Sequence, residues 1–503
     1  MKDAVSALSL ESSELMFRPQ TGHCLLSLHQ PLGARVLWSN PAATQIDPQA
    51  QSLSSQEYRE HILARCAYII MNGSGTSAIA GVADRYGGYG IGCNGGSGRA
   101  AYLNGYNVKG VGRTPLVHPS APLDHSSGTT SLEECVRETI LAELVHARHP
   151  HGAIRSLAII DIAEQDVNSQ AAGSDVSIPS YQRKCLLVRP AFIRPAHFER
   201  APRFPLDQPV EGHIDADRVR SMFAVSNQLF GKERLFHLLK MFWRKWAEQM
   251  AYGFIHRCPH TTWTTSNACL DGRLLDFGAM IAIPAWGRYI WAIDVQPTGR
   301  ELAKLALSAK YAVSNWFRYA MPSINPMTVY TNIVADSMRV YRRTLLREGL
   351  WLLGLERPNI IRILAEPQIT VLHRALGEMI RFQSRRGRAM TIGESGLRPR
   401  WQLAQVWSNK RNVPDSYIRM RGAILTAIRE IQGREPGEEF VRASRHLCQR
   451  RSESFAVPDV AELSRLTISE FGNLDKSADL SVRVGDFISG ALRRYLFNPE
   501  EVT

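Results

Sequence analysis

Residues 86–99 read YGGYGIGCNGGSGR, with seven glycines in fourteen positions, set between two β-prone runs. A stretch so poor in Cβ atoms leaves its backbone N–H groups bare, and bare N–H groups can wrap a phosphate chain. A surface hairpin has the same composition, so the run decides nothing by itself. Its surroundings do. The next strand pattern, 102–108, ends in Lys109 within VKGVG, where an ammonium would neutralise phosphate charge. A helical pattern then starts near Ser131 and carries Glu138 in VRET, spaced to hold Lys109 by an ion pair. Taken singly, Lys109 reads as a surface lysine and Glu138 as an exposed helix carboxylate.

Far downstream, residues 266–280 read SNACLDGRLLDFGAM. Two short strands around a turn at Asp271–Gly272 would bring Asn267 and Asp276 together. Both are oxygen donors, and a hard ion such as Mg²⁺ prefers such ligands with phosphate oxygens completing its shell. Asp276-Phe277-Gly278 is also the metal motif of protein kinases. It follows a glycine loop, a lysine and a glutamate in the order that kinases use.

The texture of the chain changes near residue 200. Before it, β-prone runs at 34–38, 67–71, 101–108, 154–162 and 184–188 alternate with glycine and proline. After it, apolar residues recur at helical spacing over 236–252, 301–319, 338–353, 360–384 and 416–432. Strands followed by helices predict an α+β fold, not a doubly wound sheet. The polar stretches 165–180 and 118–130 read as loops.

The chain has 503 residues, 44% of them hydrophobic and 21% charged, which excludes a mostly disordered protein. No apolar run reaches the roughly 18 residues of a membrane span. The first residues lack the apolar stretch of a signal peptide. Eight cysteines without a CxxC pair predict reduced thiols and a cytoplasmic setting. The formal charge is +13, which suits anionic partners. Its arginines concentrate late, at Arg381, Arg385, Arg386, Arg388, Arg398, Arg400, Arg442, Arg445, Arg450 and Arg451. A solvated helical surface explains them as well as a docking face does. No zinc finger or RNP-type motif accompanies them, so nucleic-acid binding is disfavoured.

Taken in order, these features resemble the selenoprotein O family, kinase-like proteins that transfer AMP instead of phosphate. The family's LKGAGxTP stands here as VKGVGRTP (108–115), and its GDGR as Gly96-Ser97-Gly98-Arg99. Its IRE helix is Val136-Arg137-Glu138, and its LRFGHFE is IRPAHFE (193–199). Its HGxxNTDN is HTTWTTSN (260–267), with Asp276 nine residues after Asn267. The similarity runs from about Ala34 to about Leu305; the rest of the chain shows none.

The resemblance implies a protein-kinase-like two-lobed fold with a helical C-terminal extension. Residues 1–190 would form the N-terminal lobe, 191–330 the metal-bearing lobe and 331–503 the extension. It implies ATP and Mg²⁺ as cofactors and catalytic roles for Lys109, Glu138 and Asp276. Gly96, Gly98, Arg99, Lys109, Gly128, Arg189 and Arg194 would contact the nucleotide, and Asn267 and Asp276 would hold the metal. ATP lies flipped in this family, so that the α-phosphate is open to attack.

The departures are informative. The family's general-base aspartate is Ser266 here, and a serine cannot by itself take a proton from a hydroxyl at neutral pH. Ser127 replaces the aspartate of a second glycine turn, although Gly128 is kept. The redox-active C-terminal cysteine or selenocysteine is absent. A carboxylate acceptor needs no base, being ionised at pH 7. The expected reaction is therefore adenylation of a peptide or protein carboxylate. Maturation of siderophore microcins would supply such an acceptor, and the basic C-terminal region would receive an acidic peptide, an anionic siderophore co-substrate or a partner subunit. AMP transfer to Ser, Thr or Tyr hydroxyls, a catalytically inert ATP-binding partner subunit and a basic nucleic-acid-binding protein are the alternatives.

Other residues carry plainer expectations. His146, His149 and His151 are not spaced as a metal set, since Pro150 breaks the helix and no carboxylates complete it. His260 matches a structural histidine of the family. Cys269 reads as a small buried residue, and Trp243 and Trp246 as helix packing.

Overall fold

The computed structural model describes residues 10–71, 78–89, 95–117, 126–162, 183–201, 212–281, 289–291, 294–296, 301–367, 369–386, 390–391, 402–409, 411–454, 460–471 and 480–496. The stretches 165–180 and 118–125, and Arg388, Arg398 and Arg400, lie outside the described residues.

The chain is α+β, with strands concentrated before residue 200 and long helices after it. The sheet comprises β1 (Cys24–His29), β2 (Arg35–Ser39), β3 (Ala78–Ala83), β4 (Ala100–Leu103), β5 (Tyr106–Lys109), β6 (Ala158–Asp161) and β7 (Cys185–Pro190). These seven strands lie in the order β1-β3-β4-β5-β7-β6-β2, every neighbour antiparallel. The run 101–108, expected as one strand, is the β4–β5 hairpin. Asn104 (φ 50°) and Gly105 (φ 86°) turn the chain, and this dipeptide suits the positive φ angles of a tight hairpin.

Both faces of the sheet are covered. Tyr58, Ile62 and Cys66 of the helix Ser55–Cys66 pack with Leu103, Tyr106, Val108, Leu186 and Val188 on one face. A capping box starts this helix: Glu57 N–H donates to Ser54 Oγ at 3.3 Å and Ser54 N–H to Glu57 Oε2 at 2.8 Å. The strand expected at 67–71 is reduced there to a bridge between Ile69 and His29. The other face takes the helix Leu132–Arg148, whose Ser131 Oγ accepts the Glu134 N–H at 3.1 Å as N-cap. Its Val136 and Ile140 share a core with Val82, Tyr102, Ile159 and Leu187.

Strand register positions the charged residues. Lys109 lies opposite Leu187 and Asn107 opposite Arg189. Side chains alternate along a strand, so Lys109 and Arg189 share one face. That is the face toward the helix Leu132–Arg148.

The same core continues into the helical half. The helix Lys232–Ile255 buries Phe242, Trp243, Trp246 and Met250 in it, each worth roughly 2–3 kcal/mol of burial. The helix Pro326–Leu352 runs without a break across the expected boundary at 330. Its Ile333 and Tyr341 belong to this core, while Leu346 and Leu350 belong to a second one with Leu372, Met379, Trp407 and Ile424. The run 360–384 is two helices, Arg357–Ile363 and Ile369–Arg386, separated at Pro367, where a proline cannot continue the ladder.

The last two helices, Val460–Phe471 and Leu480–Leu496, return to the N-terminal half. Leu463, Val484 and Ile488 join the core around the helix Leu132–Arg148. Arg137 Nη1 donates to Ser464 Oγ at 2.7 Å, and Arg148 donates to the Tyr495 carbonyl. Among the described residues no helix is long and apolar enough to cross a membrane.

Candidate functional site

Asp276 is the point on which the charged residues converge. Arg189 Nη1 lies 3.0 Å from its Oδ1, Lys109 Nζ 3.6 Å from the same oxygen, and Arg194 Nη1 3.4 Å from Oδ2. These cations come from the ends of β5 and β7 and from the loop after β7. The carboxylate is held well below its ordinary range. Burial opposes ionisation, and the charges of Arg189, Lys109 and Arg194 outweigh it. Its side chain is 25% exposed, whereas those of Arg189 and Arg194 are 4% and 2% exposed. Of these three side chains, Asp276 is thus the one most open to solvent.

Behind Lys109 stand two carboxylates of the helix Leu132–Arg148, one helical turn apart. Glu134 Oε1 is 2.9 Å from Lys109 Nζ and Glu138 Oε1 is 3.5 Å from it. Burial alone would weaken the ammonium's hold on its proton, but Glu134 and Glu138 raise its pKa instead. Glu138 also accepts the Phe277 N–H at 3.2 Å, tying the helix to the Asp276 segment. The expected Lys109–Glu138 pair is present, and Glu134 is a nearer partner that the sequence reading missed. The signal was available, since positions four apart share a helix face.

Arg99 is committed to Glu134. Its Nη2 and Nη1 reach the two carboxylate oxygens at 2.7 and 2.9 Å, and Nη1 also donates to the Thr129 carbonyl at 3.2 Å. This bidentate geometry is the strong form of the arginine–carboxylate pair.

Arg194 is a brace. Its Nε and Nη2 donate to Asp84 Oδ2 at 3.2 and 3.0 Å, and Nη1 donates to the Ser266 carbonyl. Tyr86 and Phe192 lie against the guanidinium, 4.7 and 4.9 Å from their ring centres. Asp84 is fully buried and also faces His197 Nε2 at 3.0 Å. The Arg194 N–H donates to His197 Nδ1 at 3.0 Å, which fixes the tautomer with the proton on Nε2. Burial would raise the Asp84 pKa, yet Arg194 and His197 lower it.

The glycines have packing reasons. A Cβ on Gly96 (φ 124°) would stand 2.5 Å from the Asp84 carbonyl oxygen, and one on Gly128 (φ 75°) only 2.0 Å from the Arg113 nitrogen. Ser97 N–H donates to the Asp84 carbonyl at 2.8 Å. The glycine loop is thus fastened to the residue that holds Arg194. Gly98 abuts Val117, whose Cγ2 a Cβ would meet at 2.6 Å.

Asn267 sits at the end of a 3₁₀ turn, Thr265–Asn267. The expected hairpin at 271–272 is a single bridge, Ala268 with Leu274, closed by Gly272 at φ 94°. Leu275 N–H donates to the Asn267 carbonyl at 3.2 Å. The Asn267 amide nitrogen donates to Thr262 O at 3.2 Å, which leaves Oδ1 as the end for a ligand. His260 Nε2 bonds the Leu275 carbonyl at 2.9 Å, and Thr261 Oγ1 the Ala279 carbonyl. Arg257, Thr261 and Asp276 all have φ near +60°, strained backbone of the kind that collects at functional sites.

The donor set fits a hard divalent ion only in part. Asp276 and Asn267 offer oxygen, and among the described residues no group of three His, Cys, Asp or Glu side chains could complete a metal shell. Mg²⁺ is commonly held this way, by one or two protein oxygens with phosphate and water supplying the rest. The Ser266 hydroxyl pairs with Thr264 Oγ1 at 2.8 Å, which does not activate it as a base.

The remaining candidates lie elsewhere. His146, His149 and His151 face separate partners: the Ala153 carbonyl, Gln249 and Glu248. Cys269 is buried with Ile154, Phe192 and Leu275. The cysteines among the described residues are free thiols. Comparison with models of known protein families finds no match, and comparison with curated proteins finds none either; the site's chemistry is read from its own residues.

Proposed function

We propose that this chain is an ATP- and Mg²⁺-dependent adenylyltransferase with a protein-kinase-like fold of selenoprotein O type, which activates a peptide or protein carboxylate as an acyl adenylate. The observation that carries this reading is the convergence of Lys109, Arg189 and Arg194 on Asp276, with Glu134 and Glu138 behind the lysine. Cations gathered around a metal-ligand aspartate are what a polyphosphate substrate requires.

Lys109 and Arg189 bind and orient the phosphates, while Glu134 and Glu138 keep Lys109 charged and aimed. Asn267 and Asp276 would hold Mg²⁺, which supplies charge neutralisation on the phosphates when bound. Arg194 braces Asp276 against Asp84. A carboxylate oxygen of the acceptor attacks the α-phosphorus, and the bond to the pyrophosphate oxygen breaks. The products are acyl-AMP and pyrophosphate. No proton moves, so the step needs no base where Ser266 stands. The C-terminal carboxylate of a peptide in siderophore-microcin-like maturation is such an acceptor. The net charge of +13 suits an anionic peptide or co-substrate.

Hydroxylamine trapping tests this reading. With Mg-ATP and a lysate of peptides, hydroxylamine should accelerate AMP release and leave an acyl hydroxamate. A stable, hydroxylamine-resistant AMP adduct would assign the acceptor as a hydroxyl instead.

A further inference from the structure

The C-terminal helices form a second polar site. A cleft of about 450 Å³ lies where the helix Ile369–Arg386 meets the start of the helix Asp415–Gln432, beside Met379, Tyr417 and Met420 of the second core. That is room for a small organic molecule. The cleft shares no residue with the Asp276 cluster.

The helix Asp415–Gln432 opens into this cleft. Its N-cap is Pro414, which has no side-chain oxygen to cap with. The Pro414 carbonyl accepts the Tyr417 and Ile418 N–H groups at 2.8 and 3.2 Å. The Asp415 and Ser416 N–H groups precede these first bonds and carry the partial positive charge of the helix end. A helix end alone is not a site, but Ser416 adds an independent sign of a ligand. It lines the cleft and is only 5% exposed, and its Oγ has no hydrogen-bond partner. A buried hydroxyl left this way costs stability, and a ligand oxygen in the cleft would satisfy it.

The charged lining selects the ligand. Arg419 Nε is held by Glu378 Oε2 at 2.6 Å. Arg381 makes no ion pair among the described residues. One free guanidinium and one helix end therefore stand beside the exposed Asp415 carboxylate. That balance leaves the cleft weakly positive, enough for one negative charge and adverse to a second. Phe382 and Pro414 supply its apolar surface.

We infer that this cleft binds a small organic monoanion, one carboxylate on a flat apolar body. The carboxylate accepts from Ser416 Oγ, from the N–H groups at the helix start and from Arg381, while the apolar body lies on Phe382 and Pro414. A phosphate monoester is mostly a dianion at neutral pH, and Glu378 and Asp415 oppose its second charge.

Fluorine NMR titration of the full chain tests this with three probes of similar shape: 4-fluorobenzoate, 4-fluorobenzyl alcohol and 4-fluorophenyl phosphate. The benzoate should bind saturably with a Kd of about 1 mM or tighter. The alcohol and the phosphate should each bind at least about fivefold more weakly. Arg381→Gln should weaken the benzoate about tenfold or more. Ser416→Ala should weaken it about threefold or more, yet unfold at the same urea concentration or a higher one, because the deleted hydroxyl has no partner in the protein. Glu378→Gln, which frees Arg419, should tighten it about threefold. No saturable benzoate binding up to about 10 mM, or binding unchanged in both Arg381→Gln and Ser416→Ala, would overturn the site. Equal or tighter binding of the phosphate would overturn the carboxylate assignment, and equal binding of the alcohol would show that no anion is recognised.

Discussion

Glu134 Oε1 stands 2.9 Å from Lys109 Nζ, nearer than Glu138 Oε1 at 3.5 Å. Glu134 also takes both Nη groups of Arg99, so one carboxylate fastens the lysine to the strand that follows the glycine loop. Burial opposes its charge, but Lys109 and Arg99 pull its pKa far down. Glu134→Gln should therefore weaken nucleotide binding about tenfold or more and destabilise the fold by roughly 1–3 kcal/mol, because two buried cations lose a shared partner. Glu138→Gln should leave Arg99 in place and cost less stability. Calorimetric titration and urea unfolding of both variants check this; a harmless Glu134→Gln would show that Glu138 alone holds the lysine.

Ser266 has a hydroxyl partner in Thr264 and lends its carbonyl to Arg194. If the acceptor is a carboxylate, the hydroxyl takes no proton. Ser266→Ala should keep the rate of hydroxylamine-trapped AMP release within about threefold, equivalent to less than about 1 kcal/mol in the barrier. A loss of a hundredfold or more would make the hydroxyl part of the chemistry.

Asp84 carries no exposed surface and anchors Arg194 and His197. Asp84→Asn should destabilise the protein by about 3–5 kcal/mol, since a buried guanidinium loses its counter-charge. The Asp84 pKa is lowered on folding. Its contribution is thus present above the ordinary carboxylate range and lost as pH falls through the folded value. The native chain should lose stability in acid, and the variant should lose less there.

Glu199 gives the opposite slope. It is fully buried, and burial pushes its pKa up to about 8. The folded state thus holds this proton more tightly than the unfolded chain does. The associated stability is complete below about pH 4.5 and declines as pH rises through about 8. Urea midpoints of the native chain should fall between pH 6 and pH 9, and Glu199→Gln should flatten that fall. An unchanged slope in the variant would assign the alkaline loss to other groups.

Much of the site was legible because its residues are unusual where they stand. Lys109 after a glycine run and Asp276 in Asp-Phe-Gly are local signals, and antiparallel register brought Lys109 and Arg189 to one face. Glu134 belongs to no motif and reads as an ordinary first-turn carboxylate, although it lies one turn before Glu138 on the same helix. Arg99 and Arg194 looked like phosphate ligands, but Asp84 and Glu134, which take up much of their hydrogen bonding, come from distant positions that no local pattern links. The helix Ser55–Cys66 was hidden because only Tyr58, Ile62 and Cys66 of it are buried, too narrow an apolar stripe to stand out. The return of the helices Val460–Phe471 and Leu480–Leu496 to the helix Leu132–Arg148 is purely tertiary, and amphipathic periodicity does not name the partner of a face.

Product analysis with Mg-ATP and a lysate of candidate acceptors, comparing the native chain with Asp276→Ala, tests the proposed chemistry most directly. Adenylation requires pyrophosphate and AMP, counted as free and acceptor-bound AMP together, in equal amounts from the native chain and neither from the variant. ADP and phosphate transfer, or turnover that survives Asp276→Ala, would contradict it.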